Sequence, residues 1–127
     1  MPLELDVLDG RWAVATLDRG SPVPEWARDP SLSALVLTAE ELTVVAPADR
    51  VPDGVRAEGP WAALKVRGPL DFALTGILAS LAAPLAEAGV SIFALSTFET
   101  DVLLVREGDL ERAGAALAAA GHLLHRA

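Results

Sequence analysis

The stretch from Leu74 to Val105 constrains the fold most, because a helical spacing of apolar residues gives way there to two strand-like runs. Four leucines recur three or four positions apart, as in an amphipathic helix, at Leu74, Leu78, Leu81 and Leu85. Gly89 follows them as a stop signal. The runs VSIFALS and DVLLVRE come next, separated by a short polar segment. The stretch therefore predicts one helix followed by two neighbouring strands.

The flanking segments complete a β-α-β-β-α-β order in the second half of the chain. WAALKVRG predicts a strand, DLERAGAALAAAG predicts a helix from Asp109 to a stop at Gly121, and HLLHRA predicts a last strand. This order is the ferredoxin-like, split βαβ arrangement. We expect an α+β fold with antiparallel sheets. Pro84 lies inside the first helix and should kink it or leave the Ser80 carbonyl without its helical partner.

The first half repeats this pattern in a reduced form. Trp12 in RWAVATLD and Trp61 in PWAALKVR are 49 positions apart, and Ser33 and Ser91 in the following β-rich runs are 58 apart. The nine additional positions of the second offset lie where the second half has its helix and the first half has GSPVPEWARDP. The interpretation is two subdomains, 1–59 and 60–127, with chance similarity as the alternative. In the first, LELDVLD and RWAVATL predict a hairpin that turns at Asp9-Gly10.

Composition narrows the class of protein. The 127 residues suit one compact domain or two small subdomains, and 52% hydrophobic residues are enough for a core. A net charge of −8 disfavours nucleic acid as a partner, and the absence of cysteine excludes disulfides and thiol chemistry. The N-terminus lacks a signal-peptide pattern, and the apolar run 77–88 is shorter than the about 20 residues that span a membrane. These features predict a cytoplasmic protein with no membrane partner.

The segment GPLDFALTGILASLAAPLAEAGVSIFALSTFETDVLLV resembles an ACT domain. The resemblance is carried by Gly68-Pro69 after the first strand, Thr75-Gly76 at the helix start, Ala88-Gly89 before the second strand, and STFETD between the second and third strands. It extends less strongly over 12–46, where TAEELTVV is similar to a first repeat. The nearest branch is that of small bacterial tandem-ACT proteins, which is similar to aspartate kinase regulatory modules and to the cellular arginine sensor of animals.

The resemblance implies two ACT subdomains, the first degenerate, and a regulatory function without catalysis or cofactors. ACT modules bind a free amino acid or a similar small effector, usually where two modules meet, and commonly pair side by side. We therefore expect a homodimer that signals through a ligand-dependent arrangement of subdomains or subunits. Because no output domain is visible, the signal would pass to an unknown protein partner.

The candidate site combines an anion-binding helix end with a nearby carboxylate. A helix N-terminus presents unpaired amides and a partial positive charge, and Gly76 there lets a ligand approach the backbone. Asp101 or Asp71 can pair with an α-ammonium group. In the family the ligand lies along the loop before the first helix and beside a neighbouring module, which corresponds to 68–77 and, less directly, 37–41. The candidate ligand-binding residues are Gly68, Asp71, Phe72, Thr75, Gly76, Ile77, Ser96, Thr97, Phe98, Asp101 and Thr38.

Several of these residues also have a purely structural interpretation. Thr75 can be a helix cap, Asp71 a loop cap and Asp101 a solvent-facing residue at a strand start. Thr38 fits a hairpin turn, and Phe98 fits a core or an interface.

Two other classes of function stay open. A structural dimerisation module would close the 68–76 loop without a cavity. An enzyme would need a reactive constellation, and neither Glu40-Glu41 nor the two histidines provide one. His122 and His125 could share a helix face, but no third metal ligand is evident, so the sequence predicts no metal site. The identity of the effector is not encoded in a recognisable pattern.

Overall fold

The computed structural model describes residues 2–70 and 75–126. The chain divides into two compact units. The C-terminal unit takes in the residues through Asp9 together with those from Ala62 onward, and the N-terminal unit runs from Gly10 to Trp61.

The described residues form eight strands, two α-helices and three single turns of 3-10 helix. The 3-10 turns lie at Glu25–Ala27, Ala48–Arg50 and Glu107–Asp109. The other elements are β1 (Glu4–Val7), β2 (Trp12–Leu17), β3 (Ala34–Leu37), β4 (Leu42–Pro47), β5 (Ala57–Val66), α1 (Ile77–Glu87), β6 (Ile92–Ser96), β7 (Asp101–Arg106), α2 (Leu110–Ala119) and β8 (Leu123–His125).

The C-terminal unit contains the predicted β-α-β-β-α-β order, from the end of β5 to β8. β7 pairs with β5 and with β6, the latter in antiparallel register. β1 adds to the other side of β5, with Leu5 opposite Val66. β8 then pairs with β1 in parallel, with Leu5 opposite Leu124. The α+β, ferredoxin-like prediction is confirmed, and β1 is an additional strand within it.

Both helices pack on this part of the sheet through leucines. Leu81 and Leu85 of α1 and Leu117 of α2 are completely buried, together with Leu64 and Leu103 of the strands. Each such side chain stabilises the folded state by roughly 1.5–3 kcal/mol through removal of apolar surface from water. The leucine spacing thus predicts two of the buried positions, Leu81 and Leu85, whereas Leu78 is 38% exposed and Ile77 is the buried residue at the start of the helix.

Each helix ends where the sequence predicts a stop. Gly89 and Gly121 have φ of +75° and +93°, the left-handed conformation that glycine adopts without a steric penalty. After α1 the Val90 amide donates to the Leu85 carbonyl at 2.9 Å, and after α2 the His122 amide donates to the Leu117 carbonyl at 2.9 Å. Both ends have the Schellman pattern, which satisfies carbonyls that the helix leaves open.

The N-terminal unit is a smaller version of the same pattern. β4 pairs with β2 and β3, and the start of β5 pairs with β2, with Ala15 opposite Ala57. One 3-10 turn at Glu25–Ala27 lies at the position in the order that α1 occupies in the other unit. The turn buries Ala27 in a cluster with Leu42, Val44 and Ala46.

The structure corrects the predicted hairpin at Asp9-Gly10. β1 pairs with β5 and β8, whereas β2 pairs with β4 and β5, so the two strands are not partners of one another. The alternating pattern of LELDVLD predicts the strand β1 but does not indicate which strands it pairs with. The subdomain boundary between 59 and 60 remains a prediction, and the compact units differ from it because β1 belongs with the residues from Ala62 onward.

Candidate functional site

The polar segment STFETD forms the tight turn between β6 and β7. The Thr97 amide donates to the Thr100 carbonyl at 2.8 Å. The Thr97 hydroxyl accepts from the Thr100 amide at 3.1 Å and donates to the Thr100 carbonyl at 3.1 Å. We term residues Thr97–Thr100 the β6–β7 turn. The hydroxyl of Thr97, a candidate ligand contact, is thus engaged within this turn.

The β6–β7 turn is held to the end of β5 and to the segment that follows it. The Thr100 hydroxyl donates to the Val66 carbonyl at 2.7 Å in a buried position. The Leu70 amide donates to the Glu99 carbonyl at 2.7 Å. A methyl group on Gly68 would lie 3.1 Å from the Leu70 nitrogen and 3.2 Å from the Glu99 oxygen. Gly68 therefore permits the close packing of these two segments.

Ser96 and Asp101 form a polar pair beside this turn. They face one another in the antiparallel register of β6 and β7, and the Ser96 hydroxyl donates to Asp101 Oδ1 at 2.7 Å. Ser96 is exposed and Asp101 half-buried. The hydroxyl holds the carboxylate at a defined position at the edge of the sheet.

Gly76 is the N-cap of α1. Its φ of +78° places it in the left-handed region, and no described side chain caps the helix start. No described atom lies within 4 Å of where a Cβ would be, so the backbone is approachable there. Thr75 is exposed and does not act as the cap. Ile77 is buried in the core, so its backbone amide is the part of it that can meet a ligand.

The remaining candidates fall into three places. Asp71 and Phe72 lie outside the described residues. Phe98 is 82% exposed at the tip of the β6–β7 turn, so it does not belong to the core. Thr38, in the N-terminal unit, accepts hydrogen bonds from the Glu40 and Glu41 amides at 3.2 Å each, as its hairpin-turn interpretation requires.

A charged cluster borders Gly68 on the chain. Arg67 donates to both oxygens of Asp6, at 2.8 Å from Nη2 to Oδ1 and 3.0 Å from Nε to Oδ2. It also lies 3.4 Å from Glu4 Oε1, to which His125 Nε2 is bonded at 2.9 Å. The hydrogen bonds from Arg67 lower the pKa of Asp6 below its usual 3.8. They also raise the pKa of Arg67.

The two histidines do not share a helix face. His122 follows the end of α2 and is buried, whereas His125 lies in β8 and bonds to Glu4. The described residues contain no group of three or more potential metal-ligating side chains.

Two residues outside the candidate set organise this region. Thr100 holds the β6–β7 turn to the end of β5, and His122 bonds to both Leu3 and Ser80. A Thr at the first turn position recurs at Thr38 and Thr97, which is a sequence signal for the turns. For His122 the sequence signal is indirect: Pro84 removes the amide partner of the Ser80 carbonyl, so another donor is needed there.

No helix among the described residues is long and apolar enough to cross a bilayer.

Comparison with known proteins places this architecture in a family. The ACT domain model matches residues 56–119, slightly more than half of the chain. A separate model of an N-terminal domain matches residues 10–54.

Three individual proteins show how far the similarity extends. Subunit 1 of the cytosolic arginine sensor for mTORC1 from Bos taurus is 48% identical over 59 residues, and the match covers 42% of this chain and 18% of that protein. The chain thus spans about a fifth of that relative. The crystal structure of protein Atu0741 from Agobacterium tumefaciens has a TM-score of 0.94 and 38% identity, covering 100% of this chain and 95% of that one.

The aspartate kinase of Clostridium acetobutylicum is similar in fold alone, with a TM-score of 0.66 and 13% identity over 88% of this chain and 33% of the kinase. The matching ACT model, the order of strands and helices and the close similarity to the Agobacterium structure agree: this chain belongs to the ACT domain family.

Proposed function

We propose that this chain is a non-catalytic regulatory module that binds a small effector, an amino acid, at the start of α1 and at the β6–β7 turn. The observation that carries the proposal is the helix start at Gly76, where the backbone is exposed and no described side chain caps the amides. A carboxylate is the natural partner of such a helix end.

The second half of the proposed site is the Ser96–Asp101 pair. An amino acid carries an ammonium group as well as a carboxylate, and Asp101 supplies a negative charge held in place by the Ser96 hydroxyl at 2.7 Å. Side chains from Asp71 and Phe72 remain proposed contributors. The similarity to an arginine sensor and to the fold of an aspartate kinase supports an amino acid as the class of effector.

A thermal-shift screen against the standard amino acids tests the proposal. An effector at a saturating excess should add roughly 2–4 kcal/mol of apparent stability. Gly76→Ala should then weaken binding, because the methyl group and the strained backbone obstruct the approach to the amides.

Gly89→Ala is a matched control for this substitution. Gly89 lies at the other end of α1, has φ of +75° against +78° at Gly76, and likewise has no described atom within 4 Å of an added Cβ. Both variants should lose similar stability, about 1–2 kcal/mol, from the left-handed backbone. Equal effector affinity in the two variants would show that the site is not at the helix start.

Asp101→Asn tests the ammonium contact in the same way. The amide oxygen can still accept from Ser96, so the turn is retained while the charge is lost. Glu99→Gln removes a charge from the same turn and is the control. The proposal requires that Asp101→Asn weakens effector binding and that Glu99→Gln does not.

A second candidate function, a structural dimerisation module, is favoured by the exposed edge of the N-terminal unit. Within the described residues β3 pairs with β4 alone. Leu35, Val36 and Leu37 are 46%, 47% and 61% exposed, and β3 has no charge or proline to protect its edge. Such a strand can pair with a second copy of itself.

Sedimentation analysis of Val36→Lys distinguishes this edge from others. The charge should dissociate a dimer that forms through β3 and leave the fold intact. Ala94→Lys, on the exposed surface of β6, is the control and should leave that dimer unchanged. A monomeric wild-type chain would remove the dimerisation candidate.

A further inference from the structure

Pro84 leaves one carbonyl of α1 without a helical partner. In a regular α-helix the carbonyl of residue i accepts from the amide of residue i+4, and proline has no amide hydrogen. Pro84 lies inside α1, so the carbonyl affected is that of Ser80. Ser80 lies in the first turn of α1, next to the helix start at Gly76. Its hydroxyl donates to the Ile77 carbonyl at 2.8 Å, within the same turn.

The imidazole of His122 supplies the missing partner. Its Nε2 lies 3.2 Å from the Ser80 oxygen, and its Nδ1 accepts from the Leu3 amide at 3.1 Å. The residue is 6% exposed. Because Nδ1 accepts from an amide, it carries no proton, and the ring hydrogen of the neutral imidazole is on Nε2, from which it donates to Ser80.

The backbone around His122 fixes the direction of this side chain. The His122 amide donates to the Leu117 carbonyl at 2.9 Å as part of the α2 end, and the Leu123 amide donates to the Leu3 carbonyl at 2.9 Å. The Leu3 amide thus donates to the His122 imidazole, and the Leu3 carbonyl accepts from the amide of Leu123. One buried side chain links the chain at the start of β1, the first turn of α1 and the end of α2.

We infer that His122 is a positioning residue for the first turn of α1, the turn whose amides form the proposed effector site. It acts through the Ser80 carbonyl that Pro84 leaves open, and through Leu3 it joins that turn to the chain just before β1. We term the two hydrogen bonds of the His122 imidazole, to Leu3 and to Ser80, the bridge. The effect of His122 on effector binding rests on the proposed function, whereas the bridge itself does not.

A double-mutant cycle between His122 and Pro84 tests the bridge. His122→Asn shortens the side chain so that it no longer reaches Ser80. Loss of this hydrogen bond should raise the unfolding equilibrium constant about tenfold. Pro84→Ala returns an amide to α1 for the Ser80 carbonyl. In that background His122→Asn should raise the unfolding equilibrium constant less than about threefold, because the amide that Pro84→Ala restores and the His122 imidazole share one acceptor, the Ser80 carbonyl. An equal cost in both backgrounds would overturn the bridge.

Nitrogen-15 NMR of the imidazole is a readout that a merely space-filling residue would not give. The ring should occupy one neutral tautomer with the proton on Nε2, and the Leu3 amide should exchange slowly with solvent. A proton on Nδ1, or a mixture of tautomers, contradicts the inference.

The amino acid that gives the largest thermal shift serves as the probe for positioning. His122→Asn should weaken its affinity severalfold, whereas His122→Gln, whose amide nitrogen can still reach Ser80, should stay within about twofold of wild type. Unchanged affinity in His122→Asn overturns the positioning role. A screen in which no amino acid binds removes the proposed function, while the mutant cycle and the NMR signals still decide the bridge.

Discussion

The hairpin turns of the two units are built alike but are held differently. In each, a threonine accepts from the amide three residues later, Thr38 from Glu41 at 3.2 Å and Thr97 from Thr100 at 3.1 Å. In each, the threonine amide also donates back to that residue's carbonyl, at 2.9 and 2.8 Å. The local turn is therefore determined by one threonine, whatever surrounds it.

The fourth residue of each turn makes the difference. Thr100 donates to the Val66 carbonyl at 2.7 Å from a buried position. Glu41 is exposed and accepts at Oε1 from the hydroxyls of Thr16, at 2.8 Å, and Thr43, at 3.1 Å. A short hydroxyl can satisfy a buried carbonyl, whereas a carboxylate requires solvent or charged partners. The turn in the C-terminal unit is thereby held to the end of β5, and the turn in the N-terminal unit remains at the surface.

The two units also differ in what covers their sheets. Two helices bury leucines over the C-terminal unit. In the N-terminal unit the 3-10 turn Glu25–Ala27 takes the place of α1 in the chain order, and the turn Ala48–Arg50 corresponds to the turn Glu107–Asp109 that precedes α2. The strand register gives the same correspondence. Leu37 lies opposite Leu42, and Ser96 lies opposite Asp101. Ser96 is 59 positions after Leu37, and Asp101 is 59 positions after Leu42. The sequence alignment of the β-rich runs gave 58, one residue short.

Spectroscopy can follow the two units separately. All three tryptophans, Trp12, Trp26 and Trp61, are in the N-terminal unit, and both α-helices are in the C-terminal unit. Tryptophan fluorescence therefore reports on one unit and far-ultraviolet circular dichroism mainly on the other.

The largest expected effect contrasts the two cores. Leu117→Ala should cost about 4 kcal/mol of unfolding free energy and Leu42→Ala about 2 kcal/mol. Leu117 leaves a cavity in a core with many large buried side chains, whereas the other buried members of the Leu42 cluster are the smaller Ala27, Val44 and Ala46. Denaturant titration followed by both probes measures the difference. Equal losses would show that the N-terminal core is as well packed as the other.

Gly68→Ala should have the next largest effect, a loss of about 1–3 kcal/mol, because its methyl group overlaps the backbone of Leu70 and Glu99. Gly20→Ala, in the loop after β2, is the control and should change stability by less than about 0.5 kcal/mol, as nothing lies within 4 Å. A neutral Gly68→Ala variant would mean that the two segments can separate without penalty. Chemical denaturation of both variants decides between these outcomes.

Thr100→Val compares the turns directly. It leaves the Val66 carbonyl without its buried donor and should cost about 1–2 kcal/mol. Thr100→Ser keeps the hydroxyl and should recover most of this. Glu41→Gln, at the corresponding position of the exposed turn, should cost less than about 0.5 kcal/mol. Denaturation midpoints rank the three variants, and a Glu41→Gln loss as large as that of Thr100→Val would contradict the distinction.

The smallest effect concerns pH. Because Arg67 lowers the pKa of Asp6 from 3.8 in the folded state, the pair contributes stability above pH 3.8 that is lost as the pH falls through the lowered value. The stability difference between wild type and Asp6→Asn should shrink on acidification below pH 3.8 and with added salt. Midpoints measured across this range test the sign, and a difference that grows toward low pH would contradict it.

Much of the fold and part of the site were predictable because they depend on neighbours along the chain. Residues close together in the chain determine the leucine spacing of α1, its stop at Gly89 and the open Ser80 carbonyl. The family pattern added the loop 68–77 and the β6–β7 turn as candidate regions. It gave Thr97 and Thr38 as candidate ligand contacts, whereas the local turn chemistry of threonine, already the alternative for Thr38, engages both hydroxyls in their own turns.

The sequence by itself determined the order of strands and helices, the ends of both helices and the turn chemistry, since periodicity, glycine and threonine act over short distances. Only the tertiary structure decided that β1 pairs with β5 and β8, that Thr100 bonds to Val66 and that His122 joins Leu3 to Ser80. Leu3 and His122 are 119 residues apart. A hydrogen bond over that separation leaves no periodic trace, because its partners are selected by the folded sheet and not by their neighbours in the chain.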